Sequence, residues 1–185
     1  MRLFVAVDPP EPVRSALARL IERGKGLAPD ARWVRAEAMH LTLAFLGNMP
    51  DEIVPRIEAA LGQVTPRHAA LDLAAGPVGS FGTKARPRVL WAGLVGALEE
   101  LAALQLDVEA ALEPLGYQPE ERPFRPHLTL ARAREMRGDA ALAAARDSLV
   151  PQAPAFSVGE LILYRSEPSA HGSTYTALAR LPLGA

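Results

Sequence analysis

Apolar and polar residues follow two different periodicities along this chain. Short runs rich in Val, Leu, Ile and aromatic residues predict strands at 3–7, 33–34, 40–46, 71–73, 78–81, 89–92, 127–131, 156–164 and 175–181. Apolar residues three and four positions apart predict four helices: Pro12 to Gly24, Asp51 to Gly62, 98–115 before Gly116, and 140–149. Because strands and helices mix without strict βαβ alternation, the pattern predicts an α+β fold with antiparallel pairing.

The composition is that of an ordinary globular protein and excludes several chemistries. The chain has 185 residues, of which 49% are hydrophobic and 22% charged, and these values predict one domain with a sizeable core. The absence of cysteine excludes a disulfide scaffold, a thiolate metal site and a cysteine nucleophile. A net charge of −1 argues against a protein that coats nucleic acid.

The N-terminal apolar run is interrupted by Asp8, too early for a signal peptide. No stretch reaches the roughly 18 apolar residues of a membrane span. From the sequence we therefore expect a cytoplasmic protein.

One five-residue sequence occurs twice. The sequence HLTLA at residues 40–44 recurs at residues 127–131, and it contains His, of which the chain has only four. The copies are 87 residues apart, close to half the chain length. Internal repetition indicates repeated structural units. We therefore expect a single bilobal domain, residues 1–185, in which each lobe carries one His-x-Thr motif.

Strand geometry predicts which residues of each motif share a face. In a regular strand His40 and Thr42 point to one side, whereas Leu41, Leu43 and Phe45 point to the other. The second motif has the same pattern. The leucines are then expected in the core, and a His and a Thr are presented twice on the opposite face.

Two imidazoles and two hydroxyls suit chemistry at a phosphorus atom. One imidazole can remove a proton while the other delivers one, and hydroxyls can hold phosphoryl oxygens. Hydrolysis of a cyclic phosphodiester needs such a set. A purely structural alternative is that cross-strand His and Thr side chains satisfy each other. A zinc site made by His40 and His127 with His68 or His171 has no supporting spacing, and we expect His68 and His171 at the surface.

The sequence resembles the two-histidine (2H) phosphoesterases, and among them the RNA 2′,3′-cyclic phosphodiesterases, also called 2′-5′ RNA ligases of the LigT/ThpR type. That family is defined by two His-x-Thr/Ser motifs, and both are intact here. The resemblance covers essentially the whole chain, through residues 1–7, 32–34, 40–47, 86–91, 124–132, 163–166 and 172–175.

The resemblance implies a fold, an activity and a site. It implies a bilobal α+β fold with pseudo-twofold symmetry, a cleft between two antiparallel sheets, and helices outside. The implied reaction opens a terminal 2′,3′-cyclic phosphate to a 2′-phosphomonoester, with reversible 2′-5′ ligation as related chemistry. It implies His40 as general acid and His127 as general base, with Thr42 and Thr129 on the phosphate.

Two interpretations stay open for each of the other candidate residues. The resemblance places Arg132 near the phosphate after a strand end or bulge, although a regular strand would put it on the leucine face. Phe124 either stacks on a base or packs in the core. Lys84, Arg86 and Arg88 either guide an RNA backbone or form a solvated loop.

The expected partners are RNA ends or nucleotides with a 2′,3′-cyclic phosphate, with no cofactor, metal or membrane, and a monomeric chain. The alternatives are a non-catalytic RNA- or nucleotide-binding module and a 2H phosphoesterase for another small cyclic phosphate.

Overall fold

The computed structural model describes residues 1–184. Its strands are β1 (Arg2–Val7), β2 (Arg32–Trp33), β3 (Leu41–Asn48), β4 (Leu71–Gly82), β5 (Pro87–Gly96), β6 (His127–Arg132), β7 (Phe156–Val158), β8 (Glu160–Ser169) and β9 (Gly172–Pro182). Its α-helices are α1 (Glu11–Leu27), α2 (Val54–Val64), α3 (Leu98–Leu112) and α4 (Ala140–Ser148). Within the described residues, no helix is long and apolar enough to cross a membrane.

The strands form two antiparallel sheets, which confirms the predicted α+β class. The first sheet has the order β3-β1-β8-β9 and the second has the order β2-β6-β5-β4-β7. Each sheet includes one strand with a copy of the repeated motif, β3 in the first and β6 in the second. The sheets are not built from the two halves of the sequence, because β2 joins the second sheet whereas β8 and β9 complete the first.

The helices cover the sheets from outside. Helices α2 and α3 contact each other, and they reach β9 and β3 of the first sheet. Helices α1 and α4 contact each other, and α4 reaches β4 and β5 of the second sheet. One continuous apolar core includes residues from both sheets and all four helices. A second, small cluster of Phe4, Ala6, Ile162 and Tyr164 covers the opposite face of the first sheet.

The prediction that α1 ends at Gly24 is wrong. The helix continues to Leu27, and Gly24 is buried inside it. A Cβ at this position would lie 2.1 Å from the indole ring of Trp33, which donates from Nε1 to the Ala28 carbonyl at 2.8 Å. The glycine therefore allows close packing of β2 against the helix, at a position where the helix needs a small residue rather than an end.

Three other boundaries differ from the predictions for identifiable reasons. Asp51 is not the N-cap of α2, because it begins a 3-10 turn that precedes the helix and accepts a hydrogen bond from the amino group of Met1 at 3.3 Å. At the other end, the helix continues past Gly62 to Val64. Residues 71–82 form one strand, because an irregularity at 75–78 interrupts the pairing without ending β4. Residues 156–164 divide at Gly159, where the chain passes from the second sheet to the first.

The end of α3 agrees with the prediction. A 3-10 turn over 113–115 follows the helix, and Gly116 then adopts φ 97°, a left-handed conformation that favours glycine.

Gly24→Ala should destabilise the protein. Relief of the helix penalty of glycine favours the change by about 1 kcal/mol, but crowding a packed site costs about 1–3 kcal/mol. We expect a net loss of up to about 2 kcal/mol in the free energy of unfolding, measured by urea denaturation. Gly26→Ala is the matched control: nothing lies within 4 Å of its Cβ position, so that variant should be neutral or more stable. Equal effects at both positions would contradict the packing role.

Candidate active site

A cleft between the two sheets contains a cavity of about 350 Å³. Residues of β1, β3, β8 and β9 line one side, the segment before β3 contributes a second part, and β6 closes the other side. The lining includes His40 and Thr42 from the first motif, and Thr129 and Arg132 from the second. Tertiary structure therefore brings residues of both copies to one cavity. His127 does not itself line the cavity but lies two positions before Thr129 on β6, on the same face of the strand.

A bulge in β3 changes the face of the strand on which the residues after the first motif lie. Val5 pairs with Ala44, but the next residue, Ala6, pairs with Thr42, so Leu43 is the extra residue. Both Leu43 and Ala44 are buried. The alternation of side chains is thereby shifted by one position, and Phe45 lines the cavity with 42% of its surface exposed. The prediction that Phe45 lies on the leucine face is wrong.

The second motif has a bulge at the corresponding residue. Leu90 of β5 pairs with Ala131, and Trp91 pairs with Thr129, so Leu130 is the extra residue. Leu130 and Ala131 are both fully buried, and Arg132 lines the cavity. Arg132 lies 87 residues after Phe45, so the two bulges direct equivalent positions of the repeat into the cleft.

His40 is held by an acid from another strand end. Its Nδ1 lies 2.6 Å from Oδ1 of Asp8, which directly follows β1. A carboxylate can only accept a hydrogen bond, so Nδ1 carries the proton. The Tyr164 hydroxyl donates to the other Asp8 oxygen, Oδ2, at 2.6 Å, and the Arg14 guanidinium lies 3.1 Å from the same Oδ2. The orientation of the imidazole is therefore fixed by three side chains.

The remaining nitrogen of His40, Nε2, is buried and has no hydrogen-bond partner among residues 1–184. Only 6% of the side chain is exposed, and the ring lies against Phe4, Tyr164 and Tyr175 at centroid distances of 5.7, 4.4 and 5.0 Å. An unpaired buried nitrogen is costly unless a ligand uses it. In a residue that lines the cavity, this nitrogen is the atom available for chemistry.

Asp8 stays ionised in this environment. Burial alone would raise the pKa of its carboxyl group, but hydrogen bonds from His40 and Tyr164 and the charges of His40 and Arg14 together lower it. Burial, followed by the hydrogen bond to Asp8, raises the pKa of the Tyr164 hydroxyl, which therefore remains a donor. An ionised Asp8 accepts from Nδ1 of His40 and so holds one tautomer of that ring.

His127 has a different environment. Its Nδ1 donates to the Arg125 carbonyl oxygen at 2.7 Å, which leaves Nε2 without that proton. The ring packs edge-on against Phe81 at 5.0 Å and lies 6.1 Å from Trp91. Burial lowers the pKa of His127; the Arg125 carbonyl opposes this shift, and the charge of Arg132 adds to it. His127 is therefore disposed to be neutral.

The other residues singled out from the sequence lie away from this cavity. Phe124 is half-buried against the main core. Arg86 donates to the Gly138 carbonyl at 2.9 Å, whereas the side chains of Lys84 and Arg88 are exposed. Arg88 is adjacent in sequence to Val89, which pairs with Arg132, so it lies on the opposite face of β5.

The two remaining histidines also lie elsewhere. His171 is exposed in the turn between β8 and β9. The prediction that His68 is a surface residue is wrong, because only 13% of its side chain is exposed and its Nε2 lies 2.7 Å from Asp107 of α3. The contact with the Asp107 carboxylate, rather than solvent alone, satisfies this imidazole.

Sequence reasoning missed Asp8, Tyr164 and Arg14. In the sequence, Asp8 stands out only as the residue that interrupts an apolar run, although an acid at the end of a buried strand is itself a signal of a site. Tyr164 is 156 residues from Asp8, and no local pattern connects them.

Asp8→Asn should make stability less dependent on pH in acid. The pKa of Asp8 is lowered by folding, so its contribution is present above the ordinary value of 3.8 and is lost as the pH falls through the lowered value. The difference in unfolding free energy between wild type and variant should therefore shrink below about pH 4, as measured by urea denaturation at several pH values. Asp107→Asn, which removes the more exposed carboxylate bound to His68, is the control and should show a smaller pH-dependent difference. A difference for Asp8→Asn that stays constant with pH would contradict the ionic role.

Comparison with known proteins identifies the relatives of this chain. The family model of LigT-like phosphoesterases matches residues 7–91 and 95–175. A curated protein named RNA 2′,3′-cyclic phosphodiesterase from Geobacillus stearothermophilus is 34% identical over 183 residues, which cover 97% of this chain and 56% of that protein. The protein of the same name from Thermus thermophilus is 33% identical, covering 99% of this chain and 90% of its own length.

Solved structures show the same architecture over nearly the whole chain. The structure of TT0787 from Thermus thermophilus superposes with a TM-score of 0.82 at 30% identity, covering 99% of this chain and 98% of that one. Escherichia coli LigT in complex with 3′-AMP superposes with a TM-score of 0.74 at 28% identity, covering 98% and 97%. The bilobal α+β architecture expected from the sequence is thereby confirmed.

Proposed function

The chain is an enzyme of the LigT-like phosphoesterase family, and on that premise we propose that it hydrolyses RNA 2′,3′-cyclic phosphate ends to 2′-phosphomonoesters. The observation that carries the proposal is a cavity lined by His40 and Thr42 of the first motif and by Thr129 and Arg132 of the second. His127 lies two positions before Thr129 on β6, and its surroundings differ from those of His40. Curated relatives bear the name of this activity. Escherichia coli LigT has been solved with 3′-AMP and with phosphate, ligands of the chemical kind that this cavity would hold.

His127 acts as the general base. Its Nδ1–H is engaged by a backbone carbonyl, and burial, which favours the neutral ring, leaves Nε2 free to accept a proton. Nε2 removes a proton from water as the water oxygen forms a bond to phosphorus.

His40 acts as the general acid. Asp8 stabilises its imidazolium form, so that Nε2 carries a second proton toward the cleft. As the bond between phosphorus and the ribose 3′ oxygen breaks, this proton passes to that oxygen. The products are a 3′-hydroxyl and a 2′-phosphomonoester. His127 then releases its proton to solvent and His40 takes one up, which returns both rings to their starting forms.

Thr42, Thr129 and Arg132 hold the phosphoryl oxygens. Two hydroxyl donors and one guanidinium line the cavity, and such groups stabilise charge that builds on non-bridging oxygens during the reaction. The charge of Arg132 has a second effect, because it contributes to the lowered pKa of His127.

The proposed steps use protein side chains alone and need no metal. The same steps can use a nucleophile other than water. An RNA 5′-hydroxyl in place of water would form a 2′-5′ linkage, and the reverse reaction would restore the cyclic phosphate. Because water is far more concentrated, we expect hydrolysis to dominate.

Removal of either motif histidine should abolish turnover. His40→Ala and His127→Ala should each lose about 10²–10⁴ in kcat toward an oligonucleotide with a 2′,3′-cyclic phosphate end, assayed in excess EDTA. His171→Ala is the control, because that exposed histidine lies outside the cleft, and its rate should match wild type. A panel of nucleoside and oligonucleotide cyclic phosphates, read by the position of the product phosphate, identifies the reaction. Inertness of the wild type toward the whole panel, or loss of activity in EDTA, would contradict the proposal.

Asp8→Asn should slow the reaction without removing either histidine. Loss of a group that orients a functional side chain typically costs about 10- to 100-fold, and we expect this loss in kcat. The amide can donate to Nδ1 as well as accept from it, so His40 is no longer held in one tautomer, and the loss should appear in kcat with KM little changed. Asp107→Asn alters the His68 pair and should leave both kcat and KM unchanged. A wild-type kcat for Asp8→Asn would contradict the positioning role.

A further inference from the structure

One end of the cavity has a set of groups that the proposed reaction does not use. Arg2, Phe45, Ser166 and Ser173 line the same cavity as the motif residues. Arg2 and Ser166 pair directly across β1 and β8, so their side chains lie next to each other on the cleft face. The cleft therefore contains a second group of one arginine and two hydroxyls beside the group of Arg132, Thr42 and Thr129.

Arg2 is a cation without an anionic partner. Its guanidinium carbon lies 4.9 Å from the centroid of the Phe45 ring, and its side chain forms no salt bridge or hydrogen bond with residues 1–184. A guanidinium over a ring face keeps its N–H groups at the edge, where they can reach an oxygen ligand. The ring thus holds the guanidinium in place without neutralising it.

Phe45 owes this position to the bulge at Leu43. Without the extra residue, the ring would point to the core side of β3 and leave Arg2 unsupported. At the equivalent position of the second motif, the same irregularity presents Arg132. The bulge in β6 therefore directs Arg132 into the cavity, and the bulge in β3 directs into it the Phe45 ring that supports Arg2.

The hydroxyls of Ser166 and Ser173 complete this end of the cavity. Only 8% of Ser166 is exposed, and neither hydroxyl hydrogen-bonds to another residue in 1–184. Both serines line the cavity, and neither oxygen is among the fully buried unpartnered atoms of residues 1–184, so both hydroxyls are accessible from the cavity and can donate to an acceptor oxygen there.

We propose that Arg2, Ser166 and Ser173 bind the phosphodiester immediately 5′ of the nucleoside that carries the cyclic phosphate. The inference rests on the proposed function. Phe45 lies three positions after Thr42 on β3, or roughly 7–10 Å along the strand, which is the scale of one nucleotide rather than of one phosphate group. A small cyclic phosphate without a 5′ substituent has no second anion for this site.

The proposal predicts a preference that Arg2 controls. Wild type should act on a dinucleotide with a 2′,3′-cyclic phosphate end with a higher kcat/KM than on the corresponding nucleoside 2′,3′-cyclic phosphate. Arg2→Gln removes a charge-assisted hydrogen bond and should reduce the ratio of the two kcat/KM values by about 10- to 100-fold. Phe45→Leu, which removes the platform but not the charge, should reduce it by a smaller factor of about 2 to 5.

Arg19→Gln is the matched control, because it removes the same charge from an exposed position of α1 that does not line the cavity. It should leave the ratio unchanged. An Arg2→Gln variant with the wild-type ratio, or one in which both substrates lose equally, would overturn the subsite.

A binding experiment separates this subsite from the reaction itself. By calorimetric titration, wild type should bind a nucleoside 3′,5′-bisphosphate about tenfold more tightly than the nucleoside 3′-monophosphate, and Arg2→Gln should bind both alike. This comparison needs no turnover. Failure of hydrolysis with a preserved bisphosphate preference would remove the proposed function but keep the subsite, whereas active enzyme without the preference would remove the subsite alone.

Discussion

A strand that presents His and Thr to a cleft must bury the residues between them, because consecutive side chains lie on opposite faces of a sheet. In both motifs the leucines meet this requirement and form part of the core. A bulge after each His-x-Thr then adds one buried residue and reverses the face of the residues after it. The cleft gains Phe45 in one lobe and Arg132 in the other without disturbing the core contacts of the motif. The placement of both groups proposed to bind phosphate depends on this change of register.

The two histidines have the same local sequence and different electrostatic surroundings. Asp8, supported by Tyr164 and Arg14, places a negative charge behind His40. A neutral carbonyl lies behind His127, and a positive guanidinium lies near it. Burial and the charge of Arg132 favour a neutral His127, whereas Asp8 holds the proton of His40 on Nδ1, so the two rings are suited to different proposed roles. The division of labour in the proposed reaction comes from these neighbours, not from the motif.

The connectivity of the chain explains why the cleft is a property of the whole domain. The first sheet takes β1 and β3 from the start of the chain and β8 and β9 from its end, while β2 pairs with β6 in the second sheet. Neither wall can therefore form from half of the sequence. Asp8 and Tyr164 meet only because β1 and β8 are neighbours in the first sheet. This pairing of distant segments is what positions His40.

The sequence by itself determined the fold class and singled out the four motif residues, because strand periodicity and an internal repeat can be recognised without a structure. Its resemblance to known proteins indicated the family. The sequence placed Gly116 correctly, yet it misplaced the end of α1 at Gly24, since a glycine that ends a helix and one that makes room for Trp33 look alike until the neighbour is known. Only the tertiary structure decided the faces of Phe45 and Arg132, because a bulge is defined by the residues of the partner strand. Only the tertiary structure showed that Asp8 contacts His40 and that Ser166 pairs with Arg2, because these contacts join residues that are 32 and 164 positions apart.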